Sequence, residues 1–138
     1  MSERRTAVPA EAAQLAVLAH FLQQYWSAAN LPASGLAPFE LALEEVFVNV
    51  ATHGSQRGAV PRVNVTLRLH GEELTLTVED DGVAFDPLSL PAPDVAATVA
   101  KRPIGGLGIF LVRQLMDSVR YERVAAGNRL TMTRRVRP

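Results

Sequence analysis

Three polar side chains lie four residues apart in an otherwise apolar segment: Glu45, Asn49 and His53. In a helix, residues i, i+4 and i+8 stack along one face, so these side chains form a single stripe. Buried polar groups are costly unless they find hydrogen-bond partners. The stripe is therefore either satisfied within the protein or it faces something that is not protein.

An acid and an amide one helical turn apart suit a hard cation. Mg²⁺ prefers oxygen ligands and is commonly held by one or two protein groups together with substrate phosphates. The Asn49 carbonyl is such a ligand, and the Glu45 carboxylate can accept a proton from a water or hydroxyl that attacks a phosphate. The alternative is that Glu45 and Asn49 bond to each other or to nearby backbone, with His53 as a helix-end cation favoured by the dipole.

A second segment, residues 80–84 (DDGVA), follows a predicted strand. Asp and Gly are common where a strand ends in a turn, which is the purely structural explanation. The segment lacks the alternating oxygen ligands and the twelfth-position acid of an EF-hand, so calcium is not expected. A carboxylate fixed at a sheet end, beside a glycine that permits close approach, can instead accept a hydrogen bond from a nucleobase amine.

Three glycines in four residues, Gly105, Gly106 and Gly108, open a third apolar segment. Glycine costs backbone entropy there, so it serves close packing, a hinge or a ligand. Free backbone N–H groups at a helix start favour an anion such as phosphate. No Gly-Lys-Ser/Thr follows, which excludes a Walker P-loop, and the missing third glycine and the sheet type argue against a Rossmann fingerprint.

Hydrophobic periodicity predicts the elements that position these segments. In chain order they are a strand at 4–8, helices at 9–30 and 38–54, strands at 62–70 and 74–78, a helix at 105–117, and strands at 118–125 and 128–136. Tight turns are expected at 70–73 and 126–128. This order predicts an α+β two-layer sandwich, with three main helices packed on a mainly antiparallel mixed sheet.

Length and composition limit the classes of protein to which the chain can belong. The 138 residues carry 14 basic and 14 acidic side chains and no cysteine, and are expected to form a single domain, 1–138. Zero net charge argues against a direct nucleic-acid partner, and the lack of cysteine excludes disulfides and thiolate catalysis. No run of 18 apolar residues or apolar leader occurs, so no membrane association is expected and a cytoplasmic location is the default.

The three polar segments together describe a nucleotide site, and the Pro- and Ala-rich segment 86–104 is its expected mobile lid. Their order resembles the GHKL ATPase superfamily, which includes gyrase and histidine-kinase ATP-binding domains. Glu45-x-x-x-Asn49 looks like its N box, and residues 80–84 and 106–108 look like its two glycine boxes. Residues 45–54, 106–117 and 127–131 are similar to the small bacterial anti-sigma-factor serine kinases.

The resemblance implies ATP and Mg²⁺ as cofactors. Asn49 would coordinate the Mg²⁺, Glu45 would accept the proton of a partner's serine hydroxyl, and Asp80 would bind the adenine amine. The other expected cofactor-binding positions are His53, Gly82, Ala84, Arg102, Gly105, Gly106, Leu107 and Gly108. Ala84 stands where the family often has a second glycine, and alanine suits a negative φ but strains a positive one.

The resemblance also implies a function. It indicates an ATP-dependent protein-serine kinase that phosphorylates a serine of an anti-anti-sigma (STAS-domain) protein, otherwise sequesters a sigma factor, and forms a homodimer. The alternative is a nucleotide-responsive binding module with little or no kinase activity, which would tolerate Gln at position 45. A detached histidine-kinase catalytic domain is disfavoured, because no dimerising helical hairpin with a phospho-acceptor histidine precedes the domain.

Overall fold

The computed structural model describes residues 2–54, 58–89 and 106–137. Its helices and strands in chain order are β1 (Ser2–Pro9), α1 (Leu15–Ala28), α2 (Leu36–His53), β2 (Arg62–His70), β3 (Glu73–Asp80), α3 (Gly106–Leu115), β4 (Ser118–Val124) and β5 (Gly127–Arg135). Short 3₁₀ turns occur at Ala12–Gln14, Ala33–Gly35 and Pro87–Ser89. None of these described helices is long and apolar enough to cross a membrane.

The strands form one five-stranded sheet in the order β1-β2-β3-β5-β4, and all four pairings are antiparallel. One face is apolar and buried, because alternate residues of each strand point the same way. The buried residues of β2 and β3 are Val63, Val65, Leu67, Leu69, Leu74, Leu76 and Val78. The helices cover this face, so the predicted α+β two-layer sandwich is confirmed.

The helical layer is held by large side chains on α1 and α2. Tyr25 and Trp26 of α1 are buried, and the Trp26 ring lies 5.6 Å from the ring of Phe39 on α2. Phe39 and Phe47 of α2 are 0% and 1% exposed. Because these rings anchor α2 at both ends, the rotation of the helix about its own axis is fixed.

The N-terminal segment differs from the prediction. The strand expected at 4–8 runs from Ser2 to Pro9, and the helix expected from Pro9 begins at Leu15. β1 pairs along its whole length with β2, from Ser2 opposite Leu69 to Pro9 opposite Arg62. Pro9 is tolerated because β1 lies at the edge of the sheet, where a missing N–H costs least.

The last turn also differs from the prediction at 126–128. Val124 pairs with Gly127, so the turn consists of Ala125 and Ala126, and Ala125 takes a positive φ of 35°. Gly127 and Asn128 belong to β5. The cause is packing: a Cβ on Gly127 would overlap the backbone carbonyl of Asp80, so the absence of a side chain lets β5 run close to the end of β3.

Truncation of a core side chain should destabilise the fold far more than truncation of the adjacent residue, which lies on the other face of the sheet. Leu76 in the central strand is 0% exposed, so Leu76→Ala is expected to lower the free energy of unfolding by about 2–5 kcal/mol. The adjacent Thr77 points to the other face, and Thr77→Ala should cost under about 1 kcal/mol. Urea unfolding of both variants measures this, and equal losses would contradict the two-layer arrangement.

Candidate nucleotide-binding site

A small pocket opens between the C-terminal half of α2 and the end of β3. It is lined by Val46, Asn49, Val50, Gly54, Val78, Asp80, Val83, Phe85, Pro87, Tyr121, Asn128 and Leu130. The lining is mostly apolar, with the polar groups of Asn49, Asp80, Tyr121 and Asn128 among it. Its cavity volume is about 30 Å³, enough for about two water molecules, so a larger ligand extends into the solvent beyond it or displaces lining side chains.

Asn49 is buried in the wall of this pocket, with 5% of its surface exposed. Its Nδ2 atom has no hydrogen-bond partner among the described residues. A buried polar atom without a partner is costly and uncommon, so the site fits a polar ligand that completes the bonding of the amide. A 180° rotation of the carboxamide exchanges Nδ2 and Oδ1, so the same side chain can offer its oxygen to a cation.

Glu45 lies one turn before Asn49 and is half-buried, whereas its neighbour Glu44 is exposed. Burial, and secondarily the charge of Glu44, raises the pKa of the Glu45 carboxyl above its usual value of 4.5. The start of α3 packs directly on this carboxylate, because a Cβ on Gly108 would overlap it. Glycine at 108 therefore brings the third predicted segment into contact with the first.

Asp80 is the last residue of β3, and its carboxylate is held in place by two donors. Its Oδ1 accepts hydrogen bonds from the Gly82 N–H at 2.9 Å and from Asn128 Nδ2 at 2.9 Å. The adjacent Asp81 instead accepts from the Arg62 N–H at 2.7 Å and is exposed. Asp80 is therefore the acid that lines the pocket, and its contact with the adenine amine stays a prediction.

The end of α2 and the turn after β3 meet backbone to backbone. The Val83 N–H donates to the Gly54 carbonyl at 3.2 Å. A Cβ on Gly82 would lie 2.6 Å from the same carbonyl oxygen. This close approach, rather than an unusual φ, requires glycine at 82, and it ties the helix that carries Asn49 to the turn that carries Asp80.

Two further predicted residues lie near the pocket mouth. His53 is exposed, and its ring stacks on Phe85 with centroids 4.3 Å apart and an interplanar angle of 20°. Its contact with phosphate stays a prediction. Ala84 is exposed and lies outside the positive-φ residues of the described chain, so alanine is accommodated there without backbone strain.

The residues predicted to contact phosphate are only partly described. Gly106 and Leu107 are the first two residues of α3. Arg102 and Gly105 lie outside the described residues, as does the predicted lid at 86–104 beyond residue 89. The described start of that segment forms the 3₁₀ turn Pro87–Ser89, in which Pro87 is buried against the pocket.

Several residues of the pocket carry no role in the sequence prediction, chiefly Asn128, Tyr121 and Phe85. Asn128 lies directly opposite Asp80 in the β3–β5 pairing and is 6% exposed. One sequence signal pointed to it, since asparagine is depleted in strands. Its partner could not be named without the register of two strands that are far apart in the sequence.

The chain is similar in sequence to a known family of proteins. Residues 8–134 match the family of histidine kinase-like ATPase domains. The match covers most of the chain, and the chain therefore belongs to this family. The family prediction made from the motifs is confirmed, and a domain of this class uses ATP.

Two named protein kinases are similar in sequence to this chain. The chain is 31% identical over 93 residues to the serine/threonine-protein kinase BtrW of Bordetella bronchiseptica, covering 67% of this chain and 66% of that protein. It is 24% identical over 116 residues to the serine-protein kinase RsbW of Bacillus cereus, covering 81% and 72%. The chain thus spans just under two thirds of the BtrW relative.

A solved structure matches the whole chain. It contains the RsbU and RsbW domains of a Mycobacterium tuberculosis protein, with a TM-score of 0.72 and 18% identity. The match covers 100% of this chain and 34% of that one. At this identity the likeness shows the fold alone.

The buried charge of Glu45 should make stability depend on pH. The folded-state pKa lies above the unfolded value, so the wild type loses stability as the pH rises from about 4.5 through the folded pKa. Glu45→Gln removes this loss and should be the more stable protein at pH 7, with the difference vanishing below pH 4.5. Urea unfolding across this range is the measurement. Glu44→Gln, at an exposed site, should change stability less. A wild type that is more stable than Glu45→Gln at pH 7 would contradict the raised pKa of Glu45.

Proposed function

We propose that this protein is an ATP-dependent protein-serine kinase that phosphorylates a serine of an anti-anti-sigma (STAS-domain) partner and otherwise sequesters a sigma factor. One observation carries the proposal: a half-buried carboxylate, Glu45, lies against the glycine start of α3 and one turn from Asn49, whose Nδ2 has no partner within the described part of the chain. The names of the relatives, which are serine-protein kinases, support the same activity. We further expect a homodimer, as the family resemblance implies.

Glu45 is the proposed general base. It accepts the proton of the partner's serine hydroxyl as that oxygen bonds to the γ-phosphorus, while the bond to the β–γ bridging oxygen breaks and ADP leaves. The raised pKa of Glu45 makes its carboxylate a better proton acceptor than an ordinary glutamate carboxylate. Little covalent help is needed in phosphoryl transfer, so positioning of the reactants supplies most of the catalysis.

Asn49 is the proposed protein ligand of Mg²⁺. Bound Mg²⁺ would neutralise the charge that develops on the phosphates. Among the described residues no group of three or more His, Asp or Glu side chains could form a dedicated metal cage. Mg²⁺ commonly keeps several waters and is held by one or two protein groups together with substrate phosphates, and the Asn49 amide oxygen would be such a group.

Phosphotransfer should depend on Glu45 and Asn49 and not on Glu44. Incubation with labelled ATP, Mg²⁺ and a candidate STAS partner should label the partner's serine with the wild type. Glu45→Gln and Asn49→Ala should lower the rate by at least about a hundredfold, because a proton acceptor and a metal ligand are lost. The rate of label transfer, with ATP affinity measured separately, distinguishes the two losses.

Glu44→Gln is the matched control and should leave the rate within about twofold of the wild type, since its side chain is exposed. Undiminished transfer in Glu45→Gln would remove the general-base role. ATP binding without transfer by the wild type would indicate a nucleotide-responsive binding module instead. Failure of the wild type to bind ATP would overturn the proposal entirely.

Gly108→Ala should separate stability from activity. The added Cβ would overlap the Glu45 carboxylate, and the flexible glutamate end is the group that can move. Alanine is the better helix former, so the unfolding midpoint should not fall, whereas label transfer should drop at least about tenfold. Gln114→Ala, at an exposed position of the same helix, is the control. Full activity in Gly108→Ala would show that the carboxylate position is unimportant.

A further inference from the structure

The carboxamide of Asn128 uses its whole hydrogen-bonding capacity. Its Nδ2 donates to Asp80 Oδ1 at 2.9 Å and to the Val83 carbonyl at 2.8 Å. Its Oδ1 accepts from the Phe85 N–H at 3.1 Å and from the Tyr121 hydroxyl at 2.5 Å. A carboxamide has two donors and two acceptor lone pairs, so all four are occupied. The side chain is also 6% exposed, which leaves water little access.

These four bonds fix which way the amide points. A 180° rotation would place Oδ1 against the Asp80 carboxylate and the Val83 carbonyl, and the NH₂ group against the Phe85 N–H. Each contact would then join like partners, and unpaired buried groups are costly. Asn128 is therefore held as a donor to Asp80.

Tyr121 holds the other side of this amide. It lies on β4 and is half-buried beside Asn128. Burial, as the largest cause, raises the pKa of the Tyr121 hydroxyl above 10.0, so the group stays protonated and remains a donor. Removing the hydroxyl would leave one lone pair of Asn128 Oδ1 without a partner.

The Asp80 carboxylate therefore has one oxygen that is hydrogen-bonded within the protein and one oxygen that can bond to a ligand. Asp80 Oδ1 receives hydrogen bonds from the Gly82 N–H and from Asn128 Nδ2. The hydrogen bonds of the described residues leave Oδ2 as the acceptor for a ligand. A carboxylate oxygen accepts from the amine of a 6-aminopurine and repels the carbonyl oxygen of a 6-oxopurine.

We propose that Asn128 and Tyr121 are positioning residues that keep Asp80 a hydrogen-bond acceptor and so select 6-aminopurine over 6-oxopurine nucleotides. The inference rests on the proposed function, because it concerns the base of the nucleotide bound there. It adds a cause to the selectivity: Asp80 discriminates between the bases only while the amide of Asn128 is locked as a donor.

The test compares the affinities for ATP and ITP, which differ at position 6 of the base, by titration calorimetry. Asn128→Asp removes the fixed donor and sets a second carboxylate against Asp80 Oδ1, so Asp80 turns away or takes up a proton and no longer presents a fixed acceptor to the base. The ratio of ATP affinity to ITP affinity should fall at least about tenfold. Tyr121→Phe loosens the amide without adding charge and should lower the ratio by about two- to fivefold.

Asn64→Asp makes the same chemical change on the exposed face of β2 and should leave the ratio unchanged. Thermal unfolding identifies any variant that fails to fold. If Asn128→Asp fails to fold, the affinity ratio of Tyr121→Phe still decides the test. Affinities for ATP and ITP that fall together, at a constant ratio, would overturn the inference while leaving the kinase proposal intact. A wild type that binds neither nucleotide would overturn both.

Discussion

The packing of α2 on the apolar face of the sheet is the interaction on which the rest of the site depends. Phe39, Leu43 and Phe47 are each at most 2% exposed, so the helix cannot rotate without emptying the core. With the rotation fixed, the stripe that starts at Glu45 lies at the border of the core. Asn49 is thereby buried in the pocket wall, and Glu45 is buried just enough to raise its pKa. The core thus determines the chemistry of two polar side chains.

Close backbone contacts then join the segments that come from distant parts of the chain. Gly82 lies against the carbonyl of Gly54, Gly127 against that of Asp80, and Gly108 against the carboxylate of Glu45. In each case a Cβ would enter occupied space, so these glycines serve packing. The three contacts bring the end of α2 and the start of β5 to the end of β3, and the start of α3 to Glu45 on α2.

Much of this arrangement could be predicted from the sequence, because it depends on residues that are close together in the chain. The alternation in β2 and β3 predicted the sheet, the spacing of Glu45 and Asn49 predicted a shared helix face, and DDG predicted an acid at a strand end. The role of Asn128 could not be predicted, since it depends on the register of residues 48 positions apart. The start of α1 at Leu15 was missed for a similar reason: Pro9 pairs with Arg62 and the Ala10 N–H donates to the Pro61 carbonyl, so long-range contacts hold the first residues of the predicted helix.

The central claim is that the buried amide of Asn49 faces a nucleotide and its metal. The most direct measurement is the nuclear magnetic resonance spectrum of the side-chain amides during titration with ATP and Mg²⁺. The account predicts large shifts for the buried amides of Asn49 and Asn128 and none for the exposed Asn64. Saturation of the protein with nucleotide while the Asn49 amide signal stays in place would contradict it.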